Sequence, residues 1–196
     1  MKLGSVRDLE GNRPVLKDPD ASGPDPVYWV FPEISDPSAT PQDDKAWANM
    51  TVIVPGRYGN EYPKTFGHYH GTNVNETYHL VEGEGVLVMQ KRILKDDNIV
   101  EDQVEEVYLI KAKPGDEILI TPEWGHSWSN VGKLPLISFD DWRSGHKPSD
   151  YEIIKNMQGM AYYLVDENGE VKAVANPKYE NLPEAKWITA EEFKKL

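Results

Sequence analysis

From residue 47 to residue 142 the sequence is cut by turn residues into short β-prone runs, and this pattern limits the fold more than any other feature. The runs cover 47–54, 66–70, 76–82, 86–91, 104–111, 117–120, 126–130 and 136–142. Pro55-Gly56, Gly83-Glu84-Gly85, Lys95-Asp96-Asp97-Asn98 and Pro114-Gly115-Asp116 separate several of them. Strands of this length, broken at intervals of roughly eight to twelve residues, predict an all-β sandwich or barrel. No stretch of ten or more residues in this region has the apolar spacing of a helix.

The flanks differ. Residues 1–26 are rich in Pro, Gly, Asp and Lys and lack a sustained period, which predicts a surface arm with some extended structure. A β-prone run at 27–31 and a loop-like stretch at 32–44 follow, then the strand at 47–54 and a polar connector at 57–64. Near the C-terminus, apolar runs at 161–165 and 171–175 flank Asn168-Gly169, a tight-hairpin signal. Thr189 and Glu192 form a capping-box pattern that starts a short helix at 190–195. A chain of 196 residues is then expected to be one domain, with an arm at 1–26, a core at 27–160 and an extension at 161–196.

Composition narrows the function classes. The net charge of −12 argues against a nucleic-acid surface, which needs a basic patch. The N-terminus lacks the apolar core of a signal peptide, and no run approaches membrane-span length. The chain has no cysteine, so it has no disulfide and no thiolate metal site, which fits a reducing compartment. These features predict a cytoplasmic protein without nucleic-acid or membrane partners.

The chemistry gathers around His68 and His70. Two residues apart on an extended segment, both imidazoles leave the same face. Glu76 opens the next run, and His126 follows much later. A single histidine would read as a solvated or core residue. Three imidazoles and a carboxylate together suit a divalent first-row metal and leave coordination positions open. Tyr78 shares the face of Glu76 by strand parity, with core packing as its ordinary alternative, whereas His79 falls on the opposite face. The Thr51 and Thr65 hydroxyls and the Gly67 N–H are potential phosphate donors, although β-propensity alone accounts for the threonines. Lys64, Arg57 and Arg143 are nearby in sequence as charge partners. His146 lies in a polar loop, where a solvated histidine is the plain reading. Trp124 and Trp128 flank His126 as pocket wall or as core.

The block from His68 to Gly83 resembles the first cupin motif, and Gly115 to Asn130 resembles the second. Thr51 to Gly56, Thr65-x-Gly67-His68-x-His70, Glu76-x-Tyr78, Trp124-Gly125-His126 and Ser144-Gly145-His146 together resemble the cupin-type glucose-6-phosphate isomerases, over roughly residues 28–175. The resemblance implies an all-β cupin double-stranded β-helix, a jelly-roll barrel, with an N-terminal arm and a short C-terminal hairpin and helix. It implies metal-dependent interconversion of glucose 6-phosphate and fructose 6-phosphate by a homodimer. By position, it assigns metal ligation to His68, His70, Glu76 and His126, and substrate binding to Tyr28, Thr51, Thr65 and Gly67. The chemistry of these groups assigns catalysis to Glu76, Tyr78 and His146 by one of two routes: an enediol with Glu76 as ligand and base, which is preferred, or a metal-driven hydride shift in which Tyr78 and His146 move only the oxygen-bound proton. Iron(II) is the expected ion, and manganese, nickel or zinc suit the same donors. The chain departs from the family at Asp140, where the family has tyrosine. Tyr151 lies farther beyond His146 than the family's second tyrosine, and the gap from His70 to Glu76 is one residue short. The alternatives are another metal-dependent cupin enzyme, such as a dioxygenase or a different sugar isomerase, and a non-catalytic metal or sugar binder.

Overall fold

Apolar alternation along the central strands is satisfied by two sheets packed face to face. The computed structural model describes residues 2–34, 47–143 and 146–196. Most of the loop-like stretch at 32–44, and Ser144-Gly145, lie outside the described residues. In chain order the strands are β1 (Ser5–Arg7), β2 (Tyr28–Pro32), β3 (Asn49–Ile53), β4 (Glu76–Glu82), β5 (Gly85–Lys95), β6 (Asn98–Ala112), β7 (Glu117–Ile120), β8 (Trp124–Asn130), β9 (Leu136–Asp140), β10 (Tyr162–Glu167), β11 (Glu170–Ala175) and β12 (Lys186–Thr189). The helices are α1 (Leu9–Asn12), α2 (Ser149–Asn156) and α3 (Ala190–Phe193).

One sheet runs β1-β2-β3-β9-β4-β7 and the other β12-β6-β5-β8, with β10 and β11 as a separate hairpin. The two large sheets enclose a common core and are not joined into a closed barrel, which is the jelly-roll arrangement expected. Leu80, Ile118, Ile120 and Leu136 from the first sheet meet Leu87, Met89, Ile110 and Trp128 from the second. The other face of β5 and β6 is buried too. Val86, Val88, Val107 and Leu109 pack beneath Ile154, Met160, Ala161 and Leu164. Burial on both faces explains the uninterrupted apolar runs Val86-Leu87-Val88-Met89 in β5 and Val107-Tyr108-Leu109-Ile110 in β6.

Turn chemistry fixes the registers. Asp96 and Asp97 both have positive φ, 50° and 62°, as the two-residue turn between β5 and β6 requires. Asn168 and Gly169 do the same between β10 and β11. Thr189 and Glu192 form the expected capping box at α3.

Four elements differ from the sequence expectation. The first 26 residues are not a peripheral arm: β1 extends the six-stranded sheet, and Leu9, Val15 and Leu16 are buried. The segment 66–70 is not a regular strand, because Gly67 has φ +82° and only isolated bridges tie it to β8. Helix α2 and strand β12 have no counterpart among the elements expected from the sequence. They form because α2 buries Ile154 and because β12 pairs in parallel with β6.

Candidate metal centre

The segment 64–70 is held against β8, and that pairing aims the histidines. The His68 N–H donates to the His126 carbonyl at 3.2 Å, and the His126 N–H donates back at 3.0 Å. Their rings are 4.4 Å apart between centroids. A Cβ on Gly67 would come within 3.2 Å of Ser127 and 3.1 Å of Met160 Sδ, so glycine permits this close approach as well as the positive φ. Glu76 opens β4 opposite Ile120 and points into the same space.

His68, His70, Glu76 and His126 are all buried, and their donor atoms lie within 4.8 Å of one another. Glu76 Oε2 is 3.1 Å from His70 Nε2 and 3.2 Å from His126 Nε2. Neither contact has hydrogen-bond geometry: Glu76 Oε2 and the Nε2 atoms of all three histidines have no hydrogen-bond partner among the described residues. Buried polar atoms are rarely left unpaired. Four of them aimed at one point fit a divalent cation, which all four would ligate. Burial, and then the neighbouring imidazoles, push His68 well below the usual histidine range, so it is neutral. Burial alone would raise the Glu76 carboxyl, but the His126 and His70 imidazoles outweigh it and bring it down to about 2. Neutral imidazole and ionised carboxylate are the forms that bind metal. His126 Nδ1 lies 3.5 Å from the Trp124 carbonyl on the side away from the cluster.

A cavity of about 460 Å³ opens onto His68 and Glu76. Tyr28, Thr51, Thr65, Gly67, Tyr78 and His146 also line it, so the structure brings the sequence-derived candidates to one place. His70 and His126 lie behind this wall. The Thr65 hydroxyl is already engaged: it accepts from the Trp128 N–H at 3.0 Å and lies 3.2 Å from Ser127 Oγ. Burial lowers the His146 pKa, and its ring centroid is 4.1 Å from that of His68. Burial also raises the Tyr78 hydroxyl well above the usual tyrosine range, so it keeps its proton. His79 points outward and stacks on Trp47 at 5.2 Å. Trp124 and Trp128 belong to the inter-sheet core rather than the cavity wall.

The cations are arranged differently from their sequence order. Arg57 pairs with Asp166 at 2.7 Å and lies over the Tyr62 ring. Lys64 forms a buried pair with Glu61. Both are therefore committed elsewhere, while Arg143 lines the cavity. No sequence pattern marks Arg7 as a cavity neighbour. Its Nε is 3.4 Å from the hydroxyl of Tyr28, and its guanidinium lies over Phe66, two cavity residues. Only the sheet pairing of β1 with β2 puts it there. Tyr151 reaches the wall despite its longer spacing, because α2 carries it back to within 5.3 Å of His68 between ring centroids. Asn49, Trp142 and Asp140 complete this side. Burial pushes the Asp140 carboxyl up to about 7, and the Glu76 charge adds to the effect.

Comparison with known proteins follows the same lines. The family model described as Glucose-6-phosphate isomerase (GPI) matches residues 6–181. The glucose-6-phosphate isomerase of Thermococcus gammatolerans is 33% identical over 132 residues, covering 66% of this chain and 62% of that protein. That of Pyrococcus horikoshii is 31% identical over 134 residues, covering 67% and 63%. The chain thus spans less than two thirds of the length of these curated relatives. Among solved structures, the Cupin_2 domain of an XRE family transcriptional regulator from Enterobacter cloacae overlays with a TM-score of 0.33 at 15% identity, over 58% of this chain and 93% of that one. That overlay is too slight to add to the fold described above.

Proposed function

The chain belongs to the glucose-6-phosphate isomerase family, and from that premise we propose that it is a metal-dependent aldose–ketose isomerase interconverting glucose 6-phosphate and fructose 6-phosphate. The observation that carries this reading is the convergence of four buried, unpaired donor atoms at a cavity of about 460 Å³. That volume is within the roughly 300–1,000 Å³ usual for small-molecule sites.

His68, His70, Glu76 and His126 would hold one ion, and iron(II) is our first assignment. When bound, a divalent ion supplies a Lewis acid for the sugar carbonyl. The chain's own groups handle protons and positioning. Tyr78 remains a phenol and can donate a proton to one sugar oxygen, while the neutral His146 imidazole can accept from the other. Glu76 is ionised, the state that a base at carbon needs, although its low pKa makes it a weak base. Thr51, the Gly67 N–H and Tyr28 are suited to hold the phosphate, with Thr65 orienting the segment. Arg7 and Arg143 are the cations closest to that task.

The working unit we propose is a homodimer. On the outer face of the six-stranded sheet, Trp29, Val52 and Ile137 lie in one ladder row and Phe31, Met50 and Phe139 in the next. That apolar face supports pairing with a second copy. Sugar phosphates are kept inside cells by their charge, which supports a cytoplasmic location for the proposed enzyme.

A coupled assay on a panel of sugar phosphates, after reconstitution with each candidate metal, tests the function. Turnover of glucose 6-phosphate that depends on metal is expected; oxygen consumption, or binding without turnover, overturns the isomerase. In heavy water, deuterium at carbon in the product supports Glu76 as the base, and its complete absence points to a direct hydride shift.

A further inference from the structure

Asp140 is a buried carboxyl in the cavity wall that the proposed chemistry does not use. It ends β9 with its side chain on the inward face, opposite Asn49 on one side and Tyr78 on the other. Only 5% of its surface is exposed. Its Oδ1 accepts from Asn49 Nδ2 at 2.6 Å and from the Trp142 backbone N–H at 3.0 Å. Asn49 Nδ2 also donates to the Trp142 carbonyl at 2.8 Å. The carboxylate is therefore clamped through one oxygen. Among the described residues, Oδ2 has no hydrogen bond and the carboxylate has no ion pair. It is also outside the cluster of four metal-binding donors.

We propose that Asp140 accepts hydrogen bonds from hydroxyls of the bound sugar and so acts as a specificity-determining residue of the cavity. This rests on the reading of the cavity as a sugar-phosphate site. A carboxylate without a cation is tolerated in a buried wall when ligand or solvent donors reach it. A sugar supplies such donors along its whole chain. The ladder sets the distance: Asp140 is the partner of Tyr78, which lies two residues beyond Glu76 on the same face. Two residues along one strand and one step across to the next come to on the order of 8 Å in backbone terms, comparable to the length of a six-carbon sugar. A sugar held at Glu76 by its carbonyl end therefore passes Asp140 with its middle hydroxyls. A phosphate at Asp140 would face a second anion, so the phosphate end belongs nearer Tyr28 and Arg7.

The test is calorimetric binding to the metal-loaded full chain. The ligands are glucose 6-phosphate, its 3-deoxy and 4-deoxy analogues, and inorganic phosphate. Asp140→Asn should weaken glucose 6-phosphate binding by about ten- to a hundredfold, and leave inorganic phosphate unchanged or tighter. At least one deoxy analogue should bind the wild type more weakly than the parent sugar, with that difference lost in the variant, because the hydroxyl and the carboxylate act as one pair. Asp140→Ser serves as a second variant, and metal content and melting temperature check that both fold. Equal binding of glucose 6-phosphate by wild type and variant, or the same deoxy penalty in both, overturns the assignment. So does a wild type that binds none of the sugar phosphates. A wild type that binds them without turnover sinks the isomerase, while the deoxy comparison still decides the role of Asp140.

Discussion

The indole of Trp142 lies flat against the imidazole of His70, with centroids 4.0 Å apart and planes 13° apart. His146 stacks on the same indole at 5.4 Å. The backbone of Trp142 is pinned on both sides, its N–H by Asp140 and its carbonyl by Asn49. The indole thus fixes the ring of a proposed ligand and shields it from water. Hydrogen-bonded groups that orient a metal ligand typically contribute about ten- to a hundredfold in metal affinity, and the stacked indole does the same job for His70 by packing. Trp142→Ala should weaken metal binding by that order in a chelator competition, and Trp142→Phe should lose much less. Equal affinity in all three proteins would leave the stack without a role.

Removing a ligand acts more strongly. His70→Ala should lower bound metal sharply, because the remaining donors no longer complete the site. Chelation of the wild type should lower its melting temperature, since an ion held only by the folded state stabilises it, whereas the variant should respond little to chelator. Full occupancy in His70→Ala, read by elemental analysis, would sink the assignment of the four donors.

Thr65 calls for a different test from the one its sequence position suggests. Its hydroxyl accepts the Trp128 N–H, so Thr65→Val leaves a buried donor unpaired and should destabilise the fold by about 1–3 kcal/mol. Thr65→Ser keeps that bond and should stay close to wild type in stability. A rise in KM in Thr65→Val beyond that of Thr65→Ser would then report contact with the phosphate. If Thr65→Val melts like the wild type, the Trp128 contact is not a supporting one.

The sequence made the site more legible than the scaffold around it. Short-range signals sufficed where chemistry and turn geometry are local: His-x-His, the alternation from Glu76 to Tyr78, Asp96-Asp97, Asn168-Gly169 and the Thr189 cap all have their meaning within a few residues. The misses depend on partners far away in sequence. Arg7 meets the cavity residues Tyr28 and Phe66 only because β1 pairs with β2, 21 residues on from Arg7 at Tyr28. Lys64 looked like a phosphate partner beside Thr65, yet it pairs with Glu61 and lies over Tyr163. Gly67 broke the strand that the histidine spacing suggested, while the bridge to His126 still aimed the ring of His68 into the cluster.

The Lys64–Glu61 pair also ties the N-terminal segment to the rest of the chain. Glu61 accepts from the Lys17 N–H at 2.7 Å, and Asn12 Nδ2 donates to the Lys64 carbonyl at 3.1 Å. Both side chains are nearly inaccessible. Removing one partner of a buried pair typically costs about 3–5 kcal/mol, because the other charge is left uncompensated. Lys64→Met should therefore be strongly destabilised in urea unfolding, and Lys64→Met with Glu61→Gln should recover part of the loss. A double variant as weak as the sum of its two single variants would mean that the two groups do not interact.

Asp140 makes stability depend on pH in a direction opposite to that of an ordinary paired carboxylate. Its folded pKa stands at about 7 against an ordinary 3.8, first because it is buried and then because Glu76 is near. Between those two values the folded chain holds a proton that the unfolded chain has released. The unfolded state binds fewer protons there, so stability falls as pH rises. Below about pH 4 both states are protonated and the penalty vanishes; above about pH 7 both are ionised and the penalty is complete. At about 1.4 kcal/mol per pH unit, the gap between 3.8 and about 7 amounts to on the order of 4 kcal/mol. Asn at this position carries no such penalty and can keep the bond from Trp142. In chelator-treated protein, Asp140→Asn should unfold at nearly the wild-type urea concentration near pH 4 and at a clearly higher one at pH 8. The same comparison in a Glu76→Gln background should narrow the gap without closing it, because burial is the larger cause. Unfolding midpoints that stay parallel from pH 4 to pH 8 would show that the carboxyl titrates normally and has a cation or solvent beside it.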